Sequence, residues 1–154
     1  YLVGPHARDK HAVVSSMLIC QMAAYHKNNG RTLVDALNNV YAEYGFYLDA
    51  LDTFVLKGKD GAEKIQSIMT KMRENGEYLF DNIKNVLDYL KGIDDLPKEN
   101  VLKYTFTDGS WIAVRPSGTE PKLKGYYSMS GETKRVATEK LENIRAILKK
   151  EIED

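Results

Sequence analysis

The chain has one cysteine, which excludes an internal disulfide and fits a reducing, cytoplasmic compartment. That residue, Cys20, lies in the apolar stretch Met17-Leu-Ile-Cys20 and is expected to be a buried packing residue. Neither sign of charge is in excess. Lys plus Arg and Asp plus Glu both number 22, so the overall balance drives no binding to nucleic acid or to an anionic membrane. No apolar run approaches the roughly 20 residues needed to cross a bilayer. His6, His11 and His26 lack metal-ligand spacing with Cys20 or a carboxylate cluster, and no bound metal is expected. G-x-x-x-x-G-K-[ST] and G-x-S-x-G are both missing, which removes a Walker loop and a nucleophile elbow. The chain opens on Tyr-Leu-Val-Gly, without an initiator methionine or a signal-like pattern, and is expected to be part of a longer protein.

What is present is ordinary for a globular protein: 154 residues, 43% apolar and 29% charged. That length supports one domain with a proper core, or one domain plus a piece of another. Residues 9–29 read as a helix with apolar residues on two stripes, which predicts burial on more than one side. Asn28-Asn29-Gly30 ends it. Thr32 and Asp35 then form a capping-box pattern before a second helix that stops near Gly45. Phe46–Asp60 shows no clear period and reads as a connection. An amphipathic helix follows, marked by Ile65, Ile68, Met69 and Met72 and ended by Asn75-Gly76.

Strand patterns come next, over residues 83–90, 101–107, 111–115 and 123–129. Asp108-Gly109 predicts a hairpin with a type I′ turn, because both residues tolerate positive φ. A last helix carries Ala137, Leu141, Ile144, Leu148 and Ile152, and the acidic run Glu151–Asp154 reads as a solvated tail. The fold class expected is α+β: an antiparallel sheet of about four strands covered by two helices, preceded by helices from an incomplete α/β domain. The domain boundary is placed between residues 50 and 51.

Chemistry concentrates in Arg115-Pro-Ser-Gly-Thr-Glu-Pro-Lys122, where the strand WIAVR enters a hydroxyl-rich turn. Arg115 offers a bidentate fork to paired phosphate oxygens. Ser117, Gly118 and Thr119 offer consecutive backbone N–H groups, with Gly118 permitting a left-handed step that would let amides converge on an anion. From the residues alone, a tight turn carrying solvated charges accounts for the stretch equally well.

RPSGTEPKLK resembles the phosphate-binding loop in the fourth, C-terminal domain of the phosphohexomutases. LPKENVLKYTFTDGSWIAVRPSGTEPKLKGYY resembles the phosphoglucomutase branch of that family over the preceding strands. YLVGPHARDKHAV resembles a segment late in the third domain, and KGKDGAEKIQSIMTKMREN the start of the fourth. The likeness runs in order along nearly the whole chain.

The resemblance implies an enzyme in which a serine-borne phosphoryl group passes to a hexose phosphate through a 1,6-bisphosphate, assisted by Mg²⁺ held outside this chain. It implies glucose 1-phosphate and glucose 6-phosphate as substrates, with phosphomannomutase and phosphoglucosamine mutase as alternatives. A non-catalytic phosphosugar-binding module is the alternative of another class. Carried onto this sequence, Arg115, Ser117, Gly118 and Thr119 grip the phosphate that is not transferred. Lys122 and Lys124 are weaker candidates. Lys10, in Arg8-Asp9-Lys10, matches a substrate-contacting lysine that assists proton transfer. His11 departs from the family's usual Asp and is given no catalytic role. The implied partners are the first three domains of the same chain. This stretch alone is expected to be inactive, with a hinge at Phe46–Gly61.

Overall fold

A computed structural model describes residues 11–57 and 60–153. The chain divides into two compact units, Tyr1–Gly45 and Phe46–Asp154.

In the first unit, α1 (Ala12–Asn28) and α2 (Leu33–Tyr44) form a helical hairpin. His11 caps α1, its Nδ1 accepting from the Val14 N–H at 3.2 Å. Left-handed Gly30 (φ +68°) ends it. There the Gly30 N–H donates to the Lys27 carbonyl and the Arg31 N–H to the His26 carbonyl, satisfying acceptors the helix end leaves over. The capping box at Thr32 and Asp35 forms as expected, with both reciprocal hydrogen bonds made. Burial of α1 does not follow. Neither helix holds a fully buried residue, and Cys20 is exposed. Among the described residues of this unit each helix has only the other to pack against, which covers a single stripe.

The second unit is a five-stranded antiparallel sheet with two helices on one face. Its strands are β1 (Phe46–Val55), β2 (Ile83–Asp88), β3 (Leu102–Phe106), β4 (Trp111–Pro116) and β5 (Lys122–Gly131), in spatial order β1-β5-β4-β3-β2. The helices are α3 (Gly61–Glu74) and α4 (Lys134–Glu153). The α+β class holds, and the sheet gains one strand over the four read from the sequence.

That strand, β1, occupies most of the stretch expected to be a connection and hinge. It pairs with β5 over ten residues, Phe46 opposite Gly131 through Val55 opposite Lys122. Its inward positions are Phe46, Leu48, Ala50, Asp52 and Phe54. The acidic residue in an otherwise apolar series hides the period of two. Asp52 is tolerated there because Arg145 of α4 meets it with two hydrogen bonds, at 2.8 and 2.9 Å.

The core forms where the inward sheet residues meet the helix stripes. Leu102, Tyr104, Ile112, Val114 and Leu123 are fully buried, as are Met69 and Met72 of α3 and Leu148 of α4. The Tyr104 hydroxyl reaches the Met72 carbonyl at 3.1 Å, so its polar atom is satisfied inside the apolar layer. Two details differ from expectation. The 108–109 hairpin is not type I′: Asp108 has no positive φ and only Gly109 does (φ +85°). The Gly109 N–H donates to the Phe106 carbonyl and the Phe106 N–H to the Ser110 carbonyl, a turn followed by a glycine bulge. The acidic tail is not simply solvated either. Ile152 is buried and Glu151, within α4, pairs with Lys71 of α3 at 3.0 Å.

Candidate functional site

The loop Ser117–Pro121 joins β4 to β5 at the end of the sheet opposite the 108–109 hairpin. Its base is closed by the Ser117 N–H, which donates to the Lys122 carbonyl at 2.7 Å, and by the Lys122 N–H, which donates to the Glu120 carbonyl at 2.7 Å. The Leu56 N–H donates to the Pro121 carbonyl at 3.1 Å and so fastens the loop to the chain leaving β1. Gly61 opens α3 against the same spot. A Cβ there would lie 2.2 Å from the Leu56 carbonyl oxygen, so only glycine lets the helix start this close to the chain leaving β1.

Two parts of the expected amide cluster are corrected. The Ser117 N–H is spent inside the loop, which leaves Gly118 and Thr119 as the amides that donate to no described residue. Gly118 does not take a left-handed step, since its φ is not positive. A Cβ on it would meet nothing within 4 Å. Its smallness answers no demand of the fold, and its N–H is open to an approaching group.

Arg115 projects from the sheet face that carries no helix. The register sets Arg115 directly opposite Lys124, and Lys124 opposite Thr53 of β1. The three side chains form one row across β4, β5 and β1. Side chains so paired stand about 5 Å apart at Cβ, where like charges repel. Neither Arg115 nor Lys124 has an ion-pair partner among the described residues. Two adjacent cations with no ion-pair partner among the described residues make a locally positive spot at the strand ends that the loop joins. Thr53 was missed by sequence reading because β1 was read as a connection; the register with β5 reveals it.

Lys122 is placed differently. Its ammonium bonds both carboxylate oxygens of Glu120 at 2.9 Å, so it is already occupied. On the helix side of the loop a cleft of about 390 Å³ is lined by Ala62, Ile65, Gln66 and the loop itself. Arg115 does not line it, so the cations and this cleft lie to different sides of the loop. Lys10 lies outside the described residues. Among the described residues no group of three or more His, Cys, Asp or Glu side chains could hold a metal ion. No described helix is long and apolar enough to cross a membrane.

Residues 56–147 match the family model described as phosphoglucomutase/phosphomannomutase, C-terminal domain. A phosphoglucomutase of Staphylococcus aureus is 39% identical over 142 residues, which is 84% of this chain and 26% of that protein. One from Staphylococcus haemolyticus is 35% identical over 143 residues, with the same coverage. The chain thus spans about a quarter of the length of the curated relatives it matches. The fold is also that of part of parafusin, an exocytosis-sensitive phosphoprotein and phosphoglucomutase of Paramecium solved in an open form. The TM-score is 0.69 over 96% of this chain and 28% of that one, at 20% identity.

Proposed function

Because this chain belongs to the phosphoglucomutase/phosphomannomutase family, through the C-terminal domain model that covers residues 56–147, we propose that it grips the phosphate of a hexose phosphate that is not being transferred. The observation that carries the reading is the row Arg115–Lys124: two adjacent cations with no ion-pair partner among the described residues, on the strand ends joined by the loop that carries the Gly118 and Thr119 amides. A dianionic ester relieves the repulsion between the cations. It accepts a bidentate fork from Arg115, a point charge from Lys124 and hydrogen bonds from the loop N–H groups. The hydroxyls of Ser117, Thr119 and Thr53 supply further donors. Each charge-assisted hydrogen bond contributes roughly 1.5–3 kcal/mol net. Three or four suffice for micromolar to millimolar binding. Lys122 joins only after leaving Glu120, and Lys10 remains a proposed substrate contact on the family likeness alone.

Holding one phosphate fixes where the other end of the sugar lies, and phosphoryl transfer depends chiefly on such positioning and on charge stabilisation. In the full enzyme this reading assigns, glucose 1-phosphate and glucose 6-phosphate interconvert through glucose 1,6-bisphosphate. The phosphoserine and Mg²⁺ are supplied by other parts of the longer protein. Titrating the isotope-labelled chain with glucose 6-phosphate, mannose 6-phosphate and glucose tests the grip. Both phosphates should shift the 118 and 119 amide resonances and glucose should not; amides that ignore all three would defeat the reading.

A further inference from the structure

We propose that Tyr126 is a positioning residue for the phosphate grip: its ring carries the Arg115 guanidinium and aims it without neutralising it. The proposal rests on the function proposed above, and its test separates the two.

The register explains how the residues meet. Tyr126 stands opposite Ala113, two positions along β5 from Lys124. It is therefore the diagonal neighbour of Arg115 on the helix-free face, a separation that an aromatic side chain spans. Ala113 is too small to fill the space across from it, so the ring can lie along the sheet toward β4's end. The guanidinium carbon sits 5.9 Å from the ring centroid, within the range where a cation is drawn to an aromatic face.

An unassisted Arg115 would have reason to turn away, since Lys124 beside it repels it. A carboxylate neighbour would hold the side chain in place, but it would consume the charge and the N–H donors that a phosphate needs. A ring face attracts the guanidinium while occupying none of its five in-plane donors. The other side of the same sheet shows the contrast. Arg145 lies over Tyr127, the next residue along, at 5.6 Å. It is also gripped by Asp52 through two hydrogen bonds. Adjacent tyrosines, pointing to opposite faces, each carry an arginine. The one on the helix-covered face is paired with a carboxylate; the one on the helix-free face has no such partner among the described residues.

The test is made on the 154-residue chain with inorganic phosphate and glucose 6-phosphate as probes. In the wild type, nuclear Overhauser contacts should link the Arg115 side chain to the Tyr126 ring, and the Arg115 Nε–H signal should move on adding either probe. Tyr126→Leu should displace the free-state Nε–H signal and weaken both probes by about two- to fivefold. Tyr126→Phe should restore both, because the ring and not the hydroxyl does the work. Absent ring contacts in the wild type would overturn the proposal whatever the variants do. So would a Leu variant that binds like wild type, or a Phe variant as weak as Leu. An Arg115 signal that ignores both probes while still touching the ring would instead strike at the phosphate grip itself.

Discussion

Arg145 of α4 holds Asp52 of β1 with two parallel hydrogen bonds, Nε to Oδ2 at 2.9 Å and Nη2 to Oδ1 at 2.8 Å. The pair fastens the first strand of the sheet to the last helix of the chain. With the side chains 38% and 28% exposed, solvent screens part of the attraction. Asp52→Ala should cost about 1 kcal/mol. In a double-mutant cycle with Arg145→Ala, read by thermal unfolding, the double variant should lose less stability than the sum of the two single losses. Strictly additive losses would show that the two residues act independently.

Arg115→Ala removes the fork from the proposed grip. Phosphate-ester affinity should fall by about one to two decades, the worth of a lost charge-assisted contact, while the unfolding temperature stays put because the side chain projects from the helix-free face. In a full-length enzyme carrying this domain, kcat/KM should fall correspondingly. Calorimetric binding together with steady-state kinetics checks both arms.

Gly118→Ala separates fold from function at one position. The added methyl meets nothing within 4 Å and the backbone φ is not positive, so stability should hold or rise by about 0.4–1 kcal/mol. Phosphate binding should weaken by about tenfold, because the methyl stands where the anion approaches the N–H. Undiminished affinity in this variant would move the anion elsewhere on the loop.

Gly125→Ala should behave in the opposite way. Its Cβ would lie 2.8 Å from the Tyr127 hydroxyl oxygen and 3.0 Å from Leu148 Cδ2, inside the helix-covered layer. Overpacking of this kind costs about 1–3 kcal/mol, and denaturant midpoints should report it.

Asp108 gives the fold an acid-side pH dependence. Burial alone would raise its carboxyl, but the Lys140 ammonium and the Ser110 groups outweigh burial and hold it below its ordinary value of 3.8. The folded state therefore binds fewer protons than the unfolded state in that interval. The contribution is fully present above 3.8 and disappears as pH falls through the lower folded value. Asp108→Asn should flatten the stability difference between about pH 7 and about pH 3. An unchanged slope would locate the acid sensitivity in other carboxylates.

Much of the second unit was legible because its elements are locally consistent. The stripe Ala137, Leu141, Ile144, Leu148, Ile152 is buried throughout, and Leu102, Tyr104 and Phe106 share the inward face their alternation implied. Local chemistry also fixed the capping box at Thr32 and the hairpin at Asp108-Gly109. The turn type was not legible, because Asp-Gly suits two geometries and only the backbone chooses between them. β1 was hidden because its inward acid is balanced by a residue 93 positions away.

The sequence by itself determined which residue types crowd into positions 115–124 and which segments have the periodicity to become helix or strand. Those depend on side chains within one turn or one pleat of each other. Only the tertiary structure decided that Arg115 faces Lys124, that Thr53 joins their row, and that Tyr126 rather than a carboxylate receives the guanidinium. Strand register makes those choices. Register is set by pairings between distant segments, and a shift of one residue would turn every one of these side chains to the other face.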